Sequence, residues 1–120
     1  MRIDTDAATI TALLEELKEV DFETWKDVKF LLSNFMIWEP RDIPLEQNAY
    51  QDIIQGCIQR AIAVHKWGMT LVCHAEWEEG SRHICQIRLP GPFPLDFYGT
   101  AYTPAAAILA AYIEAVRAMR

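Results

Sequence analysis

The sequence predicts an α+β domain in which four helices pack a small antiparallel sheet, and three observations lead there. Apolar residues recur at helical spacing in four separate segments. Two neighbouring segments, 69–77 and 82–89, alternate apolar and polar residues around Glu78-Glu79-Gly80, which is the pattern of a β-hairpin. A length of 120 residues with 52% hydrophobic content suits a single domain, residues 1–120, that can bury one core without disulfides or a metal.

Taken in order, Ile10, Leu13, Leu14, Leu17 and Val20 form the apolar stripe of a helix over 6–20, with Thr5 or Asp6 available to cap it. Asp21 opens a second helix, 22–34, whose stripe is Phe22, Trp25, Val28, Leu31, Leu32 and Phe35; Val28, Phe30 and Leu32 also fit a strand, and helix is the preferred reading. Pro40 and Pro44 enclose a connector. A third helix over 44–66 places Ala49, Ile53, Cys57, Ile58, Ala61, Ile62 and His65 on one face and ends in His65-Lys66, with Gly68 following.

In the hairpin, a three-residue turn with Gly80 at positive φ pairs Trp77 with Ser81, Cys73 with Cys85, and Glu76 with Arg82. Pro90, Pro92 and Pro94 keep Leu89–Leu95 out of any central strand, and a short third strand at the sheet edge fits Phe97–Tyr102. Thr103 as cap and Pro104 at the first helical position announce a helix over 104–119 with Ile108, Ala111, Tyr112, Ala115, Val116 and Met119 buried. Its alanines permit close packing on the sheet.

The net charge of −6 is unevenly distributed: residues 1–60 hold twelve acids and six bases, residues 61–120 five of each. Without a basic face, binding to a phosphate backbone is disfavoured. The acidic N-terminus lacks the pattern of a signal peptide, and the longest apolar run, Ala105–Ile113, is too short to span a bilayer. Cys57, Cys73 and Cys85 are odd in number and widely spaced, which reads as free, buried thiols in a cytoplasmic protein.

Motif-level signs of an enzyme are missing: there is no phosphate-cradling glycine loop, paired-histidine zinc helix or nucleophile elbow. Cys73 and His74 are adjacent, so on a strand they point to opposite faces and cannot serve one another. Cys73, His83 and Cys85 could share a face, but zinc normally needs a fourth ligand, and core packing is the favoured role. Asp42 and Glu46 suit the start of the third helix; Cys57 suits the core, and His65 the carbonyls at that helix's end. Two surfaces remain as binding candidates. One is acidic, Glu15, Glu16, Glu19, Asp21 and Glu23; the other is aromatic, Trp38, Phe93 and Phe97 in proline-bounded loops.

The connector Trp38-Glu39-Pro40-Arg41-Asp42-Ile43, the hairpin entry Trp67-Gly68-Met69 and the ending Tyr98-Gly99-Thr100-Ala101-Tyr102-Thr103-Pro104-Ala105-Ala106-Ala107-Ile108-Leu109-Ala110-Ala111 resemble small phage and prophage proteins of the αβα-sandwich type. The resemblance covers roughly residues 22–116 and implies helices layered about a small antiparallel sheet, a phage or mobile-element origin and a bacterial host cytoplasm; it transfers no catalytic residue. The expectation that follows is a non-enzymatic accessory protein, without cofactor or metal, that binds and modulates a host protein with a basic site, such as a defence complex. As for oligomeric state, monomer and homodimer both remain open. The alternative is a small-molecule-binding or catalytic domain using the hairpin histidines, His74 and His83, and an aromatic pocket.

Overall fold

The computed structural model describes residues 2–35, 48–74 and 82–119. Four helices and three strands follow one another as α1 (Arg2–Val20), α2 (Phe22–Phe35), α3 (Asn48–His65), β1 (Gly68–His74), β2 (Arg82–Leu89), β3 (Leu95–Ala101) and α4 (Pro104–Ala118). The strands form one antiparallel sheet in the order β1-β2-β3, so the third strand exists and lies at an edge. This is the α+β architecture that the sequence predicts. Segment 22–35 is helical, and α1 starts at Arg2, so Thr5 and Asp6 lie within the helix instead of capping it. The first residues predicted for α3, 44–47, lie outside the described residues.

α4 is the centre of the molecule. It packs across β2 and β3, receives α1 and α3, and α2 bridges those two helices. Thr103 accepts from the Ala106 amide at 3.4 Å and Pro104 sits in the first turn, as its sequence predicts. Its burial is wider than the predicted stripe: Ala105, Ala106, Ala107, Leu109 and Ile113 are buried along with Ile108, Ala111, Tyr112 and Ala115, whereas Met119 is exposed. A helix with sheet on one side and helices on others must be apolar nearly all round.

Gly99 in β3 lets α4 approach. A Cβ built there would stand 2.5 Å from the Ala111 amide nitrogen and 3.0 Å from the Ala110 Cβ, and would collide with the Ala107 carbonyl oxygen. Small residues on both elements therefore set the distance between sheet and helix.

The hairpin register differs from the predicted one by two residues. Cys73 pairs with His83, Leu71 with Cys85, and His74 with Arg82, which rules out the expected partnerships of Cys73 with Cys85 and of Glu76 with Arg82. A shift by two leaves every side chain on its original face, so apolar alternation satisfies both registers equally and cannot choose between them. The turn that was to do so, with Trp77, Gly80 and Ser81, lies outside the described residues. Buried Cys85, Ile87, Gly99 and Ala101 mark the face beneath α4; Val72, Arg88, Tyr98 and Thr100 on the other are exposed.

α3 ends without the help of glycine. Lys66 adopts φ 62°, its amide donates to Ala63 O at 3.0 Å, and the Trp67 amide reaches back to Ile62 O at 3.2 Å. These are the two bonds of a Schellman motif, with a lysine in the left-handed position usually given to glycine. Gly68 already belongs to β1. Trp67 is thereby folded back onto the helix end, which shapes the site described next.

Candidate binding cleft between α2, α3 and α4

Asp21 is the single residue between α1 and α2. Its amide donates to Leu17 O at 2.7 Å, and its carboxylate caps α2 by accepting from the Thr24 amide at 3.3 Å and the Thr24 hydroxyl at 2.6 Å. Oδ2, the oxygen that takes the Thr24 hydroxyl, also accepts the phenol of Tyr112 on α4 at 2.5 Å. His65, at the end of α3, brings Nε2 to 3.4 Å from the Tyr112 oxygen and stacks on Trp67 with ring centroids 4.2 Å apart and planes 11° from parallel. Three helices thus meet at one polar cluster.

The electrostatics of the cluster fix its protons. Burial raises the Asp21 carboxyl, but hydrogen bonds from Thr24 and Tyr112 outweigh it, and the group titrates below its ordinary range. Burial, reinforced by the adjacent Asp21, pushes the Tyr112 phenol far up. At neutral pH the pair is therefore carboxylate and phenol, joined by a short charge-assisted bond. With its O–H donated to Asp21, Tyr112 presents oxygen lone pairs to His65 Nε2.

Above this cluster opens a cleft of about 430 Å³. Its lining joins apolar Val20, Ala61, Val64, Val116 and Met119 to polar Asp21, Thr24, His65 and Tyr112 and charged Glu23, Asp27 and Arg60. Val64 and Met119 are 75% and 56% exposed, so part of the apolar lining faces water. Cys57 lines the cleft too, but burial pushes its thiol up, so it is not primed as a nucleophile.

The acids singled out from the sequence have different surroundings. Glu15 and Glu19 are exposed, Glu16 is tied to Arg117 of α4 at 3.2 Å, Glu23 lies 3.3 Å from Lys26, and Asp21 turns inward to Tyr112. Lys18 and Lys29 cover the faces of half-buried Trp25. Of the aromatic candidates, Phe93 is 87% exposed between β2 and β3, Phe97 belongs to β3 and packs half-buried against the core, and Trp38 lies outside the described residues.

The cysteine reading holds for two of three. Cys57 and Cys85 are buried; Cys73 is exposed, because α4 covers β2 and β3 while β1 is the strand at the other edge. His83 lies beside Cys73, and the side chain of His74 lies outside the described residues. Among the described residues no group of three or more His, Cys, Asp or Glu could hold a metal ion, and no helix is long and apolar enough to cross a membrane.

The sequence marked Asp21 as a cap and His65 as a helix-end residue, but it offered no sign that the two meet at Tyr112. No protein-family model, curated protein or solved structure matches the chain.

Proposed function

We propose that the chain is a non-enzymatic accessory protein, of the phage or mobile-element kind its sequence resembles, that binds a small ligand in the cleft between α2, α3 and α4. The observation that carries this reading is the size and lining of the cleft: about 430 Å³, with a mostly apolar lining beside the hydrogen-bonded Asp21, Tyr112 and His65. About 300–1,000 Å³ with mostly apolar walls and a few placed polar groups is the usual form of a small-molecule site. Binding is favoured over catalysis because the Asp21 carboxylate and the Tyr112 phenol are engaged with each other and burial pushes the Cys57 thiol up, which opposes nucleophilic attack from these three groups. The ligand that suits this cleft has an apolar body and a polar head that meets the exposed His65.

Methyl-labelled protein screened by NMR against a library of small amphipathic metabolites tests the reading. Hits should shift the methyl signals of Val64, Val116 and Met119 together, and Ala61→Phe, which fills the cleft, should abolish the shifts in a folded protein. Hits whose shifts survive Ala61→Phe, or a screen with no effect on these methyls, would refute it.

One observation favours a second reading, docking to a host protein. Phe93 is 87% exposed, with Leu95 and Tyr98 on the following strand 56% and 57% exposed, and exposed aromatics are frequent anchors in interfaces. A photo-crosslinker placed at Phe93 should then trap one host protein, with loss of the same product when Tyr98 is changed to serine; random or absent products would remove this reading.

A further inference from the structure

A separate chemical feature lies on the sheet, outside the cleft. Cys73 of β1 and His83 of β2 are direct cross-strand partners, and Cys73 Sγ stands 3.9 Å from His83 Nε2. The row continues into Ala101 of β3, on the face that α4 covers, but Cys73 is at its uncovered end and is exposed. β1 is an edge strand of the sheet. The neighbouring charged residue on β2, Arg82, pairs with His74 and points to the opposite face.

We propose that Cys73 is a site of reversible modification by small-molecule disulfides, with His83 as the base that takes its proton. As Sγ attacks one sulfur of the disulfide, the thiol proton passes to His83 Nε2. A new S–S bond joins Cys73 to that half of the reagent, the reagent's own S–S bond breaks, and the departing half leaves as a thiol after taking the proton back. Cys73 is thereby oxidised to a mixed disulfide and the released half is reduced; a second thiol reverses the exchange.

The other two thiols provide an internal contrast. Cys57 is 6% and Cys85 0% exposed. Burial raises both, Cys85 to about 11, and neither has an imidazole within hydrogen-bonding range among the described residues. Attack requires thiolate character and access together, and only Cys73 combines access with a neighbouring base. The product would place a bulky charged group on the edge strand β1.

The probe is oxidised glutathione added in excess to the reduced, folded protein, followed by intact mass and peptide mapping. One adduct should form, on Cys73, and dithiothreitol should remove it. His83→Gln should slow its formation at pH 7 by about fivefold or more, a modest share of what a placed general base can supply, with the circular dichroism spectrum unchanged. A second measurement needs no variant: below its own titration an isolated thiol loses about tenfold in rate per pH unit, whereas a thiol assisted by imidazole falls less steeply until the imidazole itself is protonated. No adduct, first modification at Cys57 or Cys85, an equal rate in His83→Gln, or a tenfold fall per pH unit in the wild type would each overturn the proposal.

Discussion

Replacing Gly99 with alanine adds one methyl group at the place where β3 and α4 are closest. That methyl would meet the Ala107 carbonyl oxygen, the Ala111 amide nitrogen at 2.5 Å and the Ala110 Cβ at 3.0 Å. Two of these are backbone atoms of a helix buried on several sides, so no side chain can rotate away. Ordinary contact begins at 3.4 Å, and restoring it at the Ala111 nitrogen alone requires α4 to lift by about 0.9 Å. A gap of about 0.5–1 Å forfeits a quarter to a half of the dispersion attraction across it, and here the gap runs beneath a helix with nine buried residues. Overpacking normally costs about 1–3 kcal/mol, and the rigidity of both partners puts Gly99→Ala at about 3 kcal/mol or more. The paired control is Gly56→Ala in the middle of α3, where an added Cβ meets nothing within 4 Å; it should stabilise by about 0.5–1 kcal/mol through helix propensity. Urea denaturation followed by circular dichroism measures both. Opposite signs are expected, and a Gly99→Ala protein within about 1 kcal/mol of wild type would refute close packing of α4 on β3.

Lys66→Gly should stabilise by about 1 kcal/mol, since φ 62° strains a lysine and not a glycine; an unchanged or lower urea midpoint would contradict the left-handed helix end. Tyr112→Phe should cost about 1 kcal/mol at pH 7, less than a fully buried bond to a charge because Asp21 keeps its two bonds from Thr24. Asp21 titrates below its ordinary 3.8, so its contribution is whole above that value and lost as pH falls through the lower folded value; Asp21→Asn should flatten this acid limb in a series of thermal melts. Cys85 titrates upward, to about 11, so its contribution is whole below the ordinary 9.0 and lost as pH rises from there; Cys85→Ala should be lower in stability at pH 7 but lose less between pH 9 and 11.

The fold was legible where local chemistry and burial agree. Thr103-Pro104 announced α4, Asp21 announced α2, and strict alternation announced β1 and β2 with their faces assigned correctly. What failed were choices that local pattern leaves degenerate. Two hairpin registers separated by two residues bury the same set of side chains, so alternation alone cannot tell Cys73 opposite Cys85 from Cys73 opposite His83. Burial of Cys73 was misjudged for a related reason: apolar neighbours on a strand indicate a face, but whether a helix covers that face at the sheet edge depends on where α4 lies. The left-handed end of α3 escaped because Gly68 stood two residues beyond the lysine that actually takes it.

The cleft was harder to foresee, and the reason is one of distance along the chain. Asp21, His65 and Tyr112 are brought together only when the ends of α1 and α3 both dock on α4. Each has a sufficient local explanation: a helix cap, a cation at a helix end, a large residue in an apolar helix. Sequence reasoning stops at such explanations, since nothing local remains unexplained. Yet Tyr112 is 0% exposed and carries a hydroxyl, and a buried hydroxyl requires a partner. That requirement was readable before any coordinates: a tyrosine in the centre of the most apolar helix must find an acceptor, and no polar side chain lies within its own buried stripe. The search for its partner leads to the boundary of another element, where polar groups and core meet, and that boundary borders the cleft. A buried hydroxyl in a helix otherwise apolar nearly all round thus demands an acceptor, while nothing in the sequence says that the acceptor is Asp21.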